Sequence, residues 1–198
     1  MKKYFKMIPG CMCAMFLSVL LSVADASAQR KVQDTFYGVR LGFTHKDVCK
    51  SDFVKEVYSD WRYLKGYQRD FSLQKLWLGG RKWEHCDFYF AGNPEVLYKL
   101  RFYQPSKDEQ VAEDLYGKML EKLDKKYGGA PGIVREEYGS WEENKKEGVS
   151  YTDGEGGVCR LEREYRSSTG GTMYYYVFLY YYNENLEMKL EHSYLEEL

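Results

Sequence analysis

Alternation of apolar and polar positions dominates the second half of the chain. From Met173 to Tyr182 the odd positions are largely aliphatic and the even positions aromatic, the period-two pattern of a strand whose two sides differ chemically. Similar alternation predicts strands over Trp83 to Phe90, Val96 to Tyr103, Val134 to Trp141, Val149 to Thr152 and Val158 to Arg166. Thr35 to Leu41, Gly66 to Ser72 and Gln74 to Leu78 read as further strands, with Gly79-Gly80 as a hairpin turn.

Two stretches change to helical spacing. Thr44 is placed to cap a helix, with Asp47 near the capping-box position, and Cys49, Phe53 and Val57 repeat at i, i+4, i+8 as its buried stripe. A second helix opens at Pro105-Ser106, with Ser106 as cap and Glu109 as its box partner. It lines Ala112, Leu115, Tyr116, Met119, Leu123 and Tyr127 along one face before Gly128 and Pro131 stop it. Asn185 to Leu198 forms a short helix, with Leu186, Leu190, Tyr194 and Leu198 at helical spacing. The chain thus reads twice as one helix followed by antiparallel strands. That predicts an α+β fold with two main helices packed on one face of the sheet, as a degenerate tandem repeat.

Strand periodicity then sorts side chains between two faces. One carries Cys86, Phe88, Phe90, Val96, Tyr98, Leu100, Phe102, Cys159, Leu161, Tyr165, Met173, Tyr175, Val177 and Leu179, and is the side helices should cover. The other carries Trp83, His85, Asp87, Tyr89, Lys99, Arg101, Tyr103, Arg160, Glu162, Glu164, Tyr174, Tyr176, Phe178, Tyr180 and Tyr182. That face mixes aromatic rings with charge.

Composition adds a cellular address. Lys2, Lys3 and Lys6 precede an apolar run from Met12 through Val23, and Ala26-Ser27-Ala28 follows it, so residues 1–28 read as a secretory signal peptide and 29–198 as one domain. The apolar run is too short to span a bilayer, which takes about 20 residues, so no transmembrane anchor is expected after cleavage. Ile8-Pro9-Gly10-Cys11 resembles a lipoprotein cleavage site, but the apolar run follows Cys11 instead of preceding it. The formal net charge is −1, and cleavage removes three lysines against one aspartate. No basic excess is left to bind nucleic acid or an anionic membrane. Aromatic residues make up 17% of the chain, well above what a disordered chain carries. Removing Cys11 and Cys13 leaves Cys49, Cys86 and Cys159, which allows one disulfide and a free thiol, or three thiols. All three are expected to point into the core.

Gly38-Val39-Arg40-Leu41-Gly42-Phe43-Thr44 before the first helix, and Leu123-Asp124-Lys125-Lys126-Tyr127-Gly128-Gly129-Ala130-Pro131 after the second, resemble the two ends of the helix in exported helix-plus-meander repeats. Such repeats occur in the β-lactamase-inhibitor-protein-like fold and in small outer-membrane-assembly lipoproteins. The whole chain also resembles short secreted proteins of Bacteroides-type bacteria. The resemblance implies an architecture and carries no site residues.

Candidate chemistry is sparse. His85 and Asp87 share a strand face, where a His-carboxylate pair could act as a base in a hydrolase or as two metal ligands, but Cys86 points the other way and no third ligand is signalled. His45 sits in the first turn of a helix and His192 in the tail. Asp153-Gly154-Glu155 lacks the alternating acids of a calcium loop, and neither a phosphate loop nor a serine elbow occurs. No metal, cofactor or catalytic residue is therefore assigned. The surface best suited to recognition is the mixed face bearing Trp83, His85, Tyr89, Arg101, Tyr174, Tyr176 and Tyr180, since Tyr, Trp and Arg supply rigid contact area with polar tips. The expected function is binding another envelope protein or a saccharide in the periplasm or outside the cell. An envelope-structural or assembly role is the alternative.

Overall fold

A computed structural model describes residues 31–51, 68–71, 76–168 and 170–196. Elements run β1 (Thr35–Phe36), β2 (Val39–Arg40), α1 (His45–Lys50), β3 (Gln68–Phe71), β4 (Leu76–Leu78), β5 (Arg81–Trp83), β6 (His85–Ala91) and β7 (Val96–Ser106). They continue α2 (Glu109–Tyr127), β8 (Ile133–Ser140), α3 (Trp141–Asn144), β9 (Lys146–Asp153), β10 (Gly157–Ser167), β11 (Met173–Asn183) and α4 (Glu184–Glu196). The fold is α+β.

Seven antiparallel strands make the main sheet in the order β3-β6-β7-β11-β10-β9-β8. The last strand of each half, β7 and β11, meet in the middle. Two helix-plus-meander halves related by a two-fold axis through the sheet would give this mirrored order. Helix α2 packs across β7, β10 and β11 through the six side chains its periodicity predicts, from Ala112 to Tyr127. Val48 of α1 joins the same core, so both helices cover one side of the sheet. Each fully buried aliphatic side chain there contributes about 1.5–3 kcal/mol.

Several local expectations shift. Thr35 to Leu41 folds as the two-residue hairpin β1–β2, because Tyr37 and Gly38 both take positive φ, 52° and 78°, as a tight turn between twisted strands requires. The α1 cap holds, with Thr44 Oγ1 accepting from the Asp47 amide at 3.2 Å. The stripe does not pass through Cys49, however: Val48 is the fully buried position and Cys49 is half-buried. Phe53 and Val57 lie outside the described residues. In α2 the cap moves from Ser106 to Asp108, whose carboxylate accepts from the Gln110 amide at 2.9 Å while Ser106 Oγ accepts from the Asp108 amide. Cys86 and Cys159 are buried in the core.

Two breaks in strand period reassign side chains. The chain bends at Glu84, separating the β4–β5 hairpin from the main sheet. This turns Trp83 into the helix-side core, where it is fully enclosed near Phe102 and donates its indole N–H to the Leu78 carbonyl at 3.2 Å. Between β6 and β7 the register moves from Tyr89↔Lys99 to Phe90↔Leu97. A β-bulge thus leaves Tyr98 as the extra residue and puts Leu97, not Val96 or Tyr98, into the core. Met173, at the strand end, is exposed.

Candidate functional site

Across the sheet from the helices, antiparallel register builds rows of side chains running from strand to strand. One row reads Asp87, Arg101, Tyr180, Arg160, Ser150, Glu136 and the next His85, Tyr103, Phe178, Glu162, Gly148, Tyr138. A third contains Tyr89, Lys99 and Tyr182. Along β11, Tyr176, Phe178 and Tyr180 occupy successive same-face positions. Their rings stack at centroid spacings of 5.4 and 5.7 Å.

Cations from neighbouring strands insert between these rings. Arg101 lies 5.5, 5.2 and 5.5 Å from the Tyr89, Tyr103 and Phe178 centroids, and its Nε donates to Asp87 Oδ2 at 2.7 Å. Lys99 lies within 6 Å of Tyr89, Tyr180 and Tyr182, and Arg166 is 5.0 and 4.7 Å from Tyr176 and Phe178. Arg160 sits between Tyr138 and Tyr182 at 5.5 and 5.4 Å, and its Nη2 donates to the Tyr182 hydroxyl at 2.6 Å. Each such cation–π contact contributes about 0.5–2 kcal/mol, rising as the site dries. The result is a lattice that orders its own side chains.

Tyr138 reaches into this lattice from β8 because Gly148 lies beneath it: a Cβ at Gly148 would fall 2.3 Å from the Tyr138 hydroxyl oxygen. The Tyr138 hydroxyl donates to Glu162 Oε2 at 3.0 Å, and Lys146 pairs with the other oxygen at 3.1 Å. Burial raises the Tyr138 hydroxyl pKa, and the Glu162 charge adds to the effect. Burial likewise raises Tyr89 and Tyr180 against the opposing pull of Arg101. Arg101 is itself desolvated, which lowers its pKa, but the Asp87 carboxylate more than compensates and its pKa is raised. All these groups hold their neutral-pH protonation states well into alkali.

Of the residues expected on this face, Trp83 is not there, because the bend at Glu84 sends it to the opposite side. His85 is half-buried and stacks on Tyr103 at 4.5 Å, while Asp87 is fully buried and ion-paired with Arg101. The pair that suggested acid–base chemistry is thus divided between an aromatic stack and an ion pair. Tyr89, Arg101, Tyr174 and Tyr180 are half-buried and Tyr176 nearly buried. Phe178 is fully enclosed, so the centre of the face is drier than an open sheet surface would be. Tyr138 escaped sequence reasoning. Its one signal is the pairing of Tyr138 with a glycine inside the opposite strand.

The tail meets one end of this face. Asn183 accepts from the Leu186 amide at 2.9 Å to start α4, Glu187 pairs with Lys99 at 3.8 Å, and Leu190 packs against Gly92 in the β6–β7 turn. The side chains of Tyr194 and Leu198 lie outside the described residues. On the β8 side, Gly132, Val134, Glu136, Thr152, Asp153 and Gly154 line a shallow open depression of about 320 Å³. Among the described residues no group of three or more His, Cys, Asp or Glu is arranged to hold a metal, and no helix is long and apolar enough to cross a membrane. Comparison of the chain with protein-family models, with curated proteins and with solved structures finds no match.

Proposed function

We propose that this is an exported, non-enzymatic binding protein that holds another envelope protein on the tyrosine and arginine face of its sheet. The observation that carries this reading is the set of half-buried rings of Tyr89, Tyr174 and Tyr180, set among Lys99, Arg101, Arg166 and Lys107. Rings already fixed by neighbouring cations lose little freedom when a partner covers them, and their hydroxyls accept or donate hydrogen bonds at its surface. Export rests on the three-part pattern of residues 1–28. The mirrored strand order supports kinship in architecture with exported helix-plus-meander repeats. Pull-down from envelope extract with the mature protein tests the reading, comparing wild type with the Tyr89→Ser, Tyr174→Ser, Tyr180→Ser triple variant. One protein enriched by the wild type and lost by a folded variant is the expected result. Equal capture by both would remove the face from the mechanism.

A structural or assembly role is the second reading, favoured by the contact of α4 with the Lys99 end of the same face. Truncation after Asn185 separates the two. A stable truncated protein with equal or stronger capture supports the partner site, whereas unfolding or aggregation makes α4 an internal cover.

A further inference from the structure

Strand β8 closes one side of the seven-stranded sheet and pairs with β9 along all of Ile133–Ser140, whereas β3 at the other edge has four residues. In an antiparallel strand, alternate residues turn their N–H and C=O groups to opposite sides. Half of the β8 groups therefore point away from β9. Among the described residues no strand pairs with that outer side, and only the Ile133 amide is used there, closing the preceding turn on the Ala130 carbonyl at 3.1 Å. An open edge of this length is a template for one more strand. Its side chains limit what can be added. On the helix side Arg135 is paired with Asp124 and Glu137. On the other face Val134 is 58% exposed, and Glu136 is exposed with no cation within ion-pair distance among the described residues.

The depression of about 320 Å³ lies along this same edge, with Val134 and Glu136 of β8 and Thr152 of β9 in its lining. A strand laid antiparallel on β8 would carry alternate side chains on this face, directly beside Val134 and Glu136. We propose that the β8 edge and its depression bind an extended segment of a partner protein by strand addition, with an apolar residue opposite Val134 and a lysine or arginine opposite Glu136. Main-chain hydrogen bonds give the affinity, and the depression gives the selectivity. The aliphatic stem of the cation covers Val134 and Thr152 while its charge meets Glu136. Asp153, also in the lining, already accepts from the Val32, Glu155 and Gly157 amides, so Glu136 is the carboxylate left to pair. A second copy of this chain fits poorly. Opposed residues share a sheet face, so two-fold pairing along most of β8 sets Glu136 or Glu137 against itself, and like charges directly opposite destabilise. The site uses none of the residues assigned to the tyrosine and arginine face, and it stands apart from that reading.

NMR titration of the mature protein with the capped peptide acetyl-Thr-Lys-Thr-Val-Thr-amide tests it. Antiparallel on β8, this peptide sets its lysine opposite Glu136 and its valine opposite Val134. Saturable shifts of the amides of residues 133–140, with a Kd on the order of millimolar, are expected. Replacing the peptide lysine by norleucine, or Glu136→Gln in the protein, should weaken binding about two- to fivefold through loss of one cross-strand ion pair. Alternate peptide amides point at β8, so N-methylation of the lysine and valine and N-methylation of the three threonines should differ, one abolishing binding and the other sparing it. No saturable shifts, equal binding of the lysine and norleucine peptides, or indifference to both methylation patterns would overturn the proposal. Concentration-dependent shifts of the β8 amides without peptide would also overturn it, giving the edge to a second copy. The norleucine comparison needs no protein variant, so it decides even if Glu136→Gln fails to fold. A folded Tyr89→Ser, Tyr174→Ser, Tyr180→Ser variant should bind the peptide as wild type does. Loss of peptide binding there would move the peptide to the aromatic face and sink the β8 site, whereas the capture result of that variant bears only on the partner reading.

Discussion

Arg160 and Arg163 lie three residues apart on β10 and face opposite sides of the sheet. Arg163 points under α2, stacked 4.0 Å from Trp141 and near Tyr116, with its Nη2 2.8 Å from Glu147. Trp141 in turn donates its indole N–H to Glu109 at 2.9 Å. Both arginines are thus held by rings, but among the described residues only Arg163 has a carboxylate within ion-pair distance. Each guanidinium keeps one buried nitrogen without a hydrogen-bond partner, Arg163 Nη1 on the helix side and Arg160 Nε on the other, so the two differ in charge pairing and not in how fully they are hydrogen-bonded. That difference in charge pairing is what distinguishes the two faces at this strand.

The comparison can be broken most directly in the core. Phe102→Ala, at a fully buried helix-side position, should destabilise by about 3–5 kcal/mol, measured by urea unfolding. A loss no larger than that of Tyr180→Ala on the opposite face would mean that the two sides share the load. Arg163→Gln leaves Glu147 without its partner, and should cost about 2–3 kcal/mol, less than a fully buried pair because Glu147 retains some solvent. Arg160→Gln removes only cation–π and hydroxyl contacts and should cost about 1 kcal/mol. If the two losses came out equal, the asymmetry between the arginines would disappear.

Alkaline titration sharpens the same contrast. Burial pushes the Cys159 thiol up to about 12, and burial also raises Tyr127 and Tyr181 on the helix side and Tyr89, Tyr138 and Tyr180 on the other. Groups raised on folding stabilise fully below their unfolded pKa, and that contribution fades as pH climbs towards the folded value. Stability should therefore fall steeply above about pH 9–10, with tyrosinate absorbance appearing together with loss of tertiary circular dichroism. Gradual tyrosine ionisation in a still-folded protein would show that these rings are wet. The smallest expected effect is on the acid side. The indole hydrogen bond from Trp141 lowers the Glu109 pKa, so its contribution is present above the ordinary glutamate value and lost as pH falls through the depressed one. Glu109→Gln should flatten that acid limb slightly, and an unchanged limb would show the contact to be incidental.

Some of this was legible in the chain and some was not. The buried face of α2 and the chemical division of β11 follow from side-chain period alone, because a regular helix or strand repeats its orientation at every turn or pleat. Trp83, Val96 and Tyr98 were placed on the wrong side for the converse reason. A bend at Glu84 and a bulge at Tyr98 each shift the phase of the alternation, and neither involves a residue that announces it. Arg160 could be placed on its face from parity, but its lack of a carboxylate could not.

The sequence by itself determined the α+β class, the core stripe of the long helix and the two-sidedness of the sheet, since these depend on spacing within single elements. Tertiary structure alone decided that β7 pairs with β11 and that Tyr138 crosses Gly148 to reach Arg160. It also decided that Arg163 finds Glu147 while Arg160 finds two rings and the Tyr182 hydroxyl. Such contacts depend on strand order and register between separate strands, set by the packing of the whole domain and by no local pattern.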